Sequence, residues 1–388
     1  MNKIPKGWEK VKFEDVLKYE QPSKYIVKST KYNNDYKTPV LTAGKGFILG
    51  YTNETDGIFK DTPVIIFDDF TTSSQYVNFH FKVKSSAMKI LRPVDNVNLK
   101  FLFYKMQTIQ HKSDTHKRYW ISEYAKREIY IPNLVEQKAI TDKLDDSFAK
   151  IENAITNLIN AKENLKLYKQ SVLKSAFNGD LLPNTSPTHW EVKKLGEIFN
   201  IVRGGSPRPI KSYLTDDKNG INWIKIGDIE TGSKYITHTK QKILASGLKK
   251  SRAVKAGDLL LTNSMSFGRP YISKINGAVH DGWLIFEPKI QISKDYVFYF
   301  FSSSDTYSKL SNLAVGSTVK NLQINFLENF EIPLPSLSEQ NLIVAEIDKR
   351  FEVVDKTLNL IDKSIQNAKN LKQSILKKAF SGELRSDI

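Results

Sequence analysis

Acidic and histidine side chains are the first candidates for chemistry in this sequence, and the absence of cysteine excludes thiol catalysis. Asp281 precedes Glu287-Pro288-Lys289, and two acids with a lysine could hold Mg²⁺ for phosphodiester hydrolysis. The interval between the acids is short and Pro288 stiffens the segment, so we do not expect a nuclease centre. The six histidines form no i,i+4 pair of the kind that binds zinc on a helix.

Motifs that would give the chain a complete active site are missing as well. It has no Pro-Pro pair, which excludes the Asn-Pro-Pro-aromatic loop of amino-methyltransferases, and neither a Gly-x-Gly-x-x-Gly nor a Walker loop. The lack of cysteine excludes disulfides and zinc–thiolate sites. The sequence therefore predicts a binding protein with no catalytic residues, no metal site and no cofactor of its own.

The distribution of charge indicates what such a protein would bind. The net charge is +16. Residues 1–132 carry 22 basic and 14 acidic residues, and residues 188–333 carry 20 basic and 13 acidic residues. Residues 133–187 and 334–388 are nearly neutral, with 7 against 7 and 9 against 8. A polyanion is the natural partner of the two basic blocks. A generally basic proteome would give the same total.

Two stretches repeat each other and must position everything else. Residues 136–181 align with residues 339–384 at a constant offset of 203, without a gap and with 16 identities in 46 positions. The segments that open each basic block, around Trp8 and Trp190, also match and lie 182 residues apart. The whole unit of block and repeat is therefore duplicated.

Each repeat predicts one long helix. It begins with a capping box at Glu136 or Glu339 and ends at Gly179 or Gly382, which gives about 42 residues. Apolar residues recur in steps of 4 and 3, a heptad seam that needs a partner, so we expect the two helices to form an antiparallel coiled coil. Two ordinary bundle helices are the plainer alternative. The seam residues are Leu144, Phe148, Ile151, Ile155, Leu158, Leu165 and Val172, and Ile347, Phe351, Val354, Leu358, Ile361, Ile365, Ala368 and Ile375.

The basic blocks predict two mixed α/β domains, so the fold class is α+β with an internal pseudo-twofold repeat. We expect strands at residues 38–41, 63–67, 76–83, 88–91, 222–226, 259–262 and 283–286, and helices at residues 99–110 and 295–313. The predicted segments are 1–132, 133–182, 183–333 and 334–388. The N-terminus has no apolar h-region and the longest apolar run is six residues, 296–301, so we expect a soluble, cytoplasmic protein without membrane contact.

The layout resembles the specificity subunit of type I restriction-modification enzymes over the whole chain. The resemblance is carried by Ile131-Pro132 with Glu136-Gln137 and by Ile332-Pro333 with Glu339-Gln340, where each block enters its helix. Block two adds Gly205-Ser206-Pro207 and residues 220–229 and 256–261, which look like the start of a target recognition domain; residues 38–44 and 64–69 look like another version of it. Block one departs from the pattern at residues 118–122, which lack the Gly316-Ser317-Thr318 of block two.

In that family each target recognition domain reads one half of a split DNA sequence, and the helices form a spacer that also binds two methyltransferase subunits. The resemblance therefore implies three partners: double-stranded DNA, two methyltransferase (modification) subunits and, through the complex, restriction subunits. It also implies that S-adenosylmethionine, ATP and Mg²⁺ are bound by those partner subunits.

Polar and basic residues in the glycine-rich or serine-rich loops of the two blocks are the expected DNA-binding residues, and about half of them should touch DNA while the rest are solvated. They are Lys45, Asp68, Asp69, Thr71, Thr72, Gln75 and Tyr76 in block one, and Arg203, Ser206, Arg208, Lys211, Asn263, Ser264, Ser266 and Arg269 in block two.

Two other classes of protein fit parts of the sequence. One is an autonomous DNA-modifying enzyme with a fused, unrecognised catalytic site, which the missing motifs argue against. The other is a structural or adhesive coiled-coil protein. The lack of a secretion signal and the confinement of positive charge to the blocks argue against that class.

Overall fold

The computed structural model describes residues 5–42, 46–109, 118–183, 189–230, 232–263, 267–313 and 322–384. The chain divides into two compact units. Unit 1 comprises Met1–Leu158 with Lys363–Ile388, and unit 2 comprises Ile159–Asp362. Each unit holds one globular head and part of both long helices, so the division between the compact units lies within the helices.

The described part of the first half of the chain has nine strands and three α-helices. The strands are β1 (Glu9–Lys12), β2 (Leu17–Glu20), β3 (Thr38–Leu41), β4 (Ile48–Thr52), β5 (Val64–Asp68), β6 (Ser74–Val77), β7 (Lys82–Val83), β8 (Met88–Pro93) and β9 (Glu128–Ile131), and the helices are α1 (Phe13–Val16), α2 (Leu99–Gln107) and α3 (Leu134–Asn178).

The described part of the second half has twelve strands and six α-helices. The strands are β10 (Glu191–Lys194), β11 (Phe199–Arg203), β12 (Leu214–Thr215), β13 (Ile221–Ile224), β14 (Tyr235–Ile236), β15 (Lys242–Ile243), β16 (Arg252–Val254), β17 (Leu259–Thr262), β18 (Pro270–Ser273), β19 (Gly277–Val279), β20 (Trp283–Pro288) and β21 (Glu331–Leu334), and the helices are α4 (Leu195–Ile198), α5 (Ala245–Leu248), α6 (Lys294–Ser302), α7 (Ser304–Leu313), α8 (Ile324–Glu328) and α9 (Leu337–Ser381).

The head of unit 1 is built on two sheets, with strand orders β2-β8-β5-β6 and β4-β3-β7. Strand β5 is buried on both faces because successive residues point into different core clusters. Ile65 and Phe67 pack in a cluster with Phe101 of α2, whereas Val64 and Ile66 pack in a second cluster. The first strand β1 pairs antiparallel with the last strand β9, which closes the head at the point where the chain enters α3.

The head of unit 2 repeats this plan with larger sheets, ordered β11-β20-β17-β18-β14 and β12-β15-β13-β19-β16. Strand β17 has the same two-sided burial. Leu259 and Leu261 pack in the cluster that contains α6, and Leu260 packs on the other side with Trp283. Strands β10 and β21 pair antiparallel and close this head before α9.

The same buried glutamine fixes each head to the start of its long helix. Gln137 accepts a hydrogen bond at Oε1 from the amide of Asn98 (2.8 Å) and donates from Nε2 to the Pro132 carbonyl (2.8 Å). In unit 2, Gln340 makes the equivalent bonds to Ser293 and Pro335, both 2.9 Å long. Because Asn98 and Ser293 are the N-caps of α2 and α6, each glutamine ties the helix of the head to the long helix.

Two further contacts are duplicated at the same junction. The indole Nε1 of Trp8 donates to Glu136 at 2.9 Å, and that of Trp190 donates to Glu339 at 2.9 Å. Further along the long helices, Tyr104 donates to Asp145 in unit 1 and Tyr299 to Asp348 in unit 2. Burial and the adjacent carboxylate raise the pKa of both tyrosines, so both hydroxyls remain donors at neutral pH.

Helices α3 and α9 are 45 residues long each and run antiparallel. In unit 2, Lys162 pairs with Asp362 at 2.6 Å and Lys169 with Asp355 at 2.5 Å; in unit 1, Lys372 pairs with Glu152 at 2.5 Å. The two residue numbers of every pair add up to 524, which is the pattern of antiparallel neighbours. The predicted antiparallel arrangement is confirmed within each unit.

The predicted seam faces inward along both helices. Its members Leu144, Ile151, Val172, Ile347, Val354 and Ile361 are buried, and the remaining members are buried or half-buried. Both helices stop where a glycine has left-handed backbone geometry, Gly179 at φ 80° and Gly382 at φ 82°. A Cβ on Gly382 would lie 2.8 Å from Cγ of Pro5, so the end of α9 packs directly on the beginning of the described chain.

Candidate nucleic-acid interface

Several strands of unit 2 end at one edge of its head. Strands β11 and β17 end where β20 begins, because Arg203 pairs with Leu284 and Thr262 with Trp283. The parallel strands β13 and β19 end there too, and the loops after these strands are joined by backbone bonds from Gly205 to Val279 (3.2 Å) and from Asn263 to Gly282 (2.8 Å). We call this surface the unit 2 loop edge; it comprises Arg203–Arg208, Lys225, Asn263, Arg269 and His280–Gly282.

The Gly204-Gly205 pair allows this close assembly. A Cβ on Gly204 would lie 2.1 Å from the carbonyl oxygen of His280, and a Cβ on Gly205 would lie 2.9 Å from that of Lys250. A side chain at position 204 would push the loop away from the end of β19, and one at position 205 would push it away from the segment before β16. The two glycines therefore hold Ser206 and Arg208 next to residues 280–282.

The unit 2 loop edge presents exposed arginines around one carboxylate. Arg203, Arg208 and Arg269 are exposed, and the Asp281 side chain is 51% exposed. Ser206 donates from Oγ to Asp281 Oδ1 at 2.7 Å, and a guanidinium nitrogen of Arg208 lies 3.5 Å from Oδ2. The Ser206 hydrogen bond, with smaller contributions from His280 and Arg208, lowers the pKa of Asp281, so this group is a carboxylate at neutral pH.

His280, in contrast, is held neutral. Its Nδ1 accepts a hydrogen bond from the amide of Gly282 at 2.9 Å, which places the single ring proton of the neutral form on Nε2. Burial lowers the pKa of His280, and the charge of Lys225 lowers it further against the opposite effect of Asp281. The ring is packed near Trp223 and Trp283, with centroid distances of 6.2 and 6.3 Å.

Two of the residues predicted to bind DNA have structural roles instead. Asn263 is 1% exposed, and its Oδ1 accepts from the amide of Leu322 at 3.0 Å. Asp69 is also 1% exposed; it pairs with Lys89 at 3.1 Å and accepts from the amide of Trp120 at 2.8 Å. Each follows an interior strand of its sheet and anchors a later part of the chain. Their side chains point inward, which corrects the prediction that they read bases.

The unit 1 candidates divide between a turn and the core. Asp68 is buried and closes the turn after β5, because its Oδ1 accepts from the amides of Phe70 (2.9 Å) and Thr71 (3.2 Å). Thr71 is exposed at this turn and Thr72, at φ 59°, is half-buried. Asp68 is therefore a turn residue and not a groove reader, which is a second correction.

The remaining candidates lie apart from these loop contacts. Gln75 is exposed on β6, and the half-buried Tyr76 packs against α2, with its ring 5.9 Å from that of Phe103. Lys211 is exposed on the 3₁₀ turn Ile210–Tyr213, and Ile210 packs against the sheet β12-β15-β13-β19-β16. Lys45, Ser264 and Ser266 lie outside the described residues.

Residues 5–161 and 187–370 match the family model of the type I restriction modification DNA specificity domain. The chain belongs to this specificity family. The EcoR124I/EcoR124II specificity subunit of Escherichia coli is 33% identical over 355 residues, which cover 86% of this chain and 84% of that protein. The EcoBI specificity subunit of Escherichia coli is 29% identical over 280 residues, covering 66% of this chain and 58% of that protein.

Solved structures share the fold of this specificity-family member. A chain from a type I R-M system gives a TM-score of 0.75 at 20% identity, covering 98% of this chain and 100% of that one. The HsdS subunit from Thermoanaerobacter tengcongensis gives a TM-score of 0.59 at 21% identity, covering 98% of both chains. The predicted α+β fold with two recognition domains is confirmed.

Several polar residues near the strand ends of the two heads were not among the DNA-binding residues expected from the sequence. In unit 1 they are Lys84 and Arg118, whose side chains are exposed. The backbone amide of Lys84 donates to the carbonyl of Leu41 at 2.9 Å, and that of Tyr119, next to Arg118, donates to the carbonyl of Asp69 at 2.8 Å. In unit 2 they are Lys225, His280 and Asp281. Lys84, Lys225 and His280 each come directly after a short strand, and a polar residue in that position is the signal that could have found these three.

The two acids considered for a nuclease centre are separated in the structure. Asp281 precedes β20 and Glu287 lies near its other end, and six residues of strand span about 20 Å. Glu287 accepts a hydrogen bond from the amide nitrogen of the Asn200 side chain at 2.7 Å. Within the described ranges no three His, Cys, Asp or Glu side chains are grouped to hold a metal ion, and no helix has the length and apolarity to cross a bilayer.

Proposed function

We propose that each head reads one half of a split DNA sequence and that the paired helices set the gap between the halves. The observation that carries this proposal is the duplicated junction, in which Gln137 and Gln340 attach their heads to α3 and α9 through matching hydrogen bonds. Two different heads that are attached to their helices in the same way are suited to reading two different half-sites.

Exposed polar residues in the loops of both heads supply the chemistry of reading. Exposed arginines such as Arg203, Arg208 and Arg269 can bind phosphates or the O6 and N7 atoms of guanine, and each good base contact discriminates by about 1–3 kcal/mol. In unit 1, Thr71, Lys84 and Arg118 are the corresponding exposed groups. The basic excess of both heads adds salt-dependent attraction to any duplex.

We infer further that the helices bind two identical methyltransferase subunits. Asn164, Ser171 and Lys174 are exposed on α3, and the same residue types recur, also exposed, at Asn367, Ser374 and Lys377 on α9. At about 100° per residue the three positions share about 80° of the helix surface; a fourth exposed pair, Lys166 and Lys369, lies on another face. Burial does not account for the retention of these residues, whereas binding the same partner twice does.

Catalysis and its cofactors belong, in this proposal, to the partners. The chain contributes no active site, S-adenosylmethionine, ATP and Mg²⁺ are held by methyltransferase and restriction subunits, and the assembly works in the cytoplasm. This assignment is tested by measuring methyl transfer to DNA by the purified chain in the presence of S-adenosylmethionine. Activity of the chain alone would show that it is an autonomous enzyme.

A head exchange tests the reading of half-sites. Residues 188–333 are replaced by the equivalent block of a relative, and the sequence methylated by the complete complex is determined. We expect one half-site to change and the other to stay. The matched exchange of residues 1–132 should change only the other half-site, and a change of both half-sites by either exchange would contradict the two-reader assignment.

Charge reversal tests the partner surface. Lys174→Glu should remove one methyltransferase subunit, Lys377→Glu the other, and the double variant both, as measured by native mass spectrometry of the co-expressed complex. Lys150→Glu is the control, because Lys150 is exposed and its counterpart in α9 is Val353. Full assembly of the double variant would place the partner contacts elsewhere.

A further inference from the structure

We infer that Asp281 determines specificity by accepting a hydrogen bond from the exocyclic amino group of a cytosine or adenine in the half-site read by unit 2. This inference rests on the proposed function. It assigns to the unit 2 loop edge a carboxylate acceptor, a residue that was not among the expected DNA-binding residues.

The carboxylate is held in a fixed position. The Ser206 hydroxyl donates a hydrogen bond to Oδ1 of Asp281 at 2.7 Å. This contact is possible because Gly204 lets the loop pack closely against His280, just after β19. Ser206 occupies Oδ1, and Oδ2 is the oxygen that lies 3.5 Å from Arg208. The Asp281 side chain is 51% exposed, so the carboxylate can be reached by a ligand on the same loop edge that carries the exposed Arg203 and Arg269.

A carboxylate at this place is unfavourable for binding to phosphates. It repels the backbone of the duplex and partly cancels the attraction of the neighbouring arginines. It becomes favourable only opposite a hydrogen-bond donor of the nucleic acid. In the major groove those donors are N4 of cytosine and N6 of adenine, so the chemistry of the acceptor limits which bases it can meet.

Arg208 does not prevent this contact. The Arg208 side chain is 80% exposed and its pair with Asp281 is 3.5 Å long, so the ion pair is weak and easily exchanged. The guanidinium of Arg208 can bind a phosphate or a guanine instead, while Ser206 keeps the Asp281 carboxylate in position. Arg208 and Asp281 then form adjacent donor and acceptor groups on the same loop edge.

The test uses the full chain in complex with its methyltransferase subunits and a library of duplexes randomised across both half-sites. We expect Asp281→Asn to reduce the preference at one base pair of one half-site about tenfold or more, because the amide of asparagine can also donate. Ser206→Ala should broaden the same position to a lesser degree, since it frees the carboxylate without removing it. Glu287→Gln, which removes a charge at the far end of β20, should leave every preference unchanged.

Two results would overturn the inference. One is an Asp281→Asn complex that keeps the parental preference at every position. The other is an Asp281→Asn complex whose affinity changes equally for selected and random duplexes. Asp281 would then only repel DNA in general, without any role in specificity. A parental complex without any sequence preference would instead refute the proposed function, so the two failures are distinguishable. Circular dichroism confirms that each variant is folded before selection.

Discussion

Replacing Gln137 by methionine should destabilise unit 1 far more than a surface glutamine change does. The Gln137 amide is 1% exposed and serves two backbone groups, the amide of Asn98 and the carbonyl of Pro132, at 2.8 Å each. Methionine fills a similar volume but can satisfy neither group. The substitution therefore leaves a buried acceptor and a half-buried donor without their partner.

The size of the effect follows from these two groups. An unsatisfied buried polar group costs about 1–3 kcal/mol, and the half-exposed position of Asn98 allows some access of water, so we expect about 2–4 kcal/mol in total. Gln340→Met should have an effect of the same size on unit 2, because its two bonds are equivalent and Gln340 is 2% exposed.

Hydrogen exchange measured by mass spectrometry resolves the two units separately. Protection of α2 and the first turns of α3 should fall by about 30- to 900-fold in Gln137→Met, which corresponds to the expected free energy. Gln366→Met is the control, since Gln366 is exposed and bonds only locally to Asn370. If the two variants lose equal protection, the glutamine does not fix the head to the helix.

Three further predictions concern the loop edge and the helices. Arg269→Ala should weaken DNA binding by about 1–3 kcal/mol in fluorescence anisotropy while the fold stays intact. Asn263→Ala should instead lower the thermal stability of unit 2. If Arg269→Ala lowered stability and Asn263→Ala weakened only DNA binding, the roles given to these two residues would be wrong. A circular permutant joined from Ile388 to Met1 and opened between Leu182 and Pro187 should fold and bind DNA, because Gly382 already packs on Pro5; loss of folding would contradict this. Four residues inserted near Ala161 lengthen the helix by about 6 Å and rotate its C-terminal part by about 40°, so the preferred gap between half-sites should grow by one or two base pairs in duplex selection; an unchanged gap with intact binding would show that the helices do not set it.

The long helices were predictable because their signals are local and repeated. The seam, the capping box at Glu136 and Glu339 and the glycines at their ends place them within a few residues of the observed bounds. Central strands such as β17 were also predictable, since short apolar runs between polar turns leave few alternatives. The duplicated connections between head and helix were visible only as retained Glu-Gln pairs, without the partners that explain them.

Other elements depended on tertiary contacts. The helix predicted over residues 295–313 is interrupted at Ser303, which is extended at φ −74° and ψ 142°, and the amide of Ser304 donates to Gln170 of α3 instead of continuing the helix. The strand predicted over residues 76–83 is divided, because β6 pairs with β5 while β7 pairs with β3 in the other sheet. Strand β6 forms a hairpin with β5, which directly precedes it, whereas β3, the partner of β7, is distant in the sequence.

The candidate site was the least predictable part. Polar residues after a strand look alike in sequence whether they turn outward, as Arg203 does, or inward, as Asp69 and Asn263 do. The inward direction is decided by Lys89, Trp120 and Leu322, which come from distant parts of the chain. Asp281 was noticed for the wrong chemistry, because its real neighbour is Ser206 and not Glu287.

The matching ion pairs of the helices bear on the ancestry of the chain. Lys169 and Lys372 occupy equivalent positions, and so do their partners Asp355 and Glu152. An ancestral half-chain with one head and one helix would therefore have formed a symmetric homodimer in which Lys169 of each copy met the acid at position 152 of the other. Such a dimer is restricted to palindromic targets. Fusion of the two copies released each head to diverge alone, and an asymmetric target became available without any change in the contacts that hold the helices together.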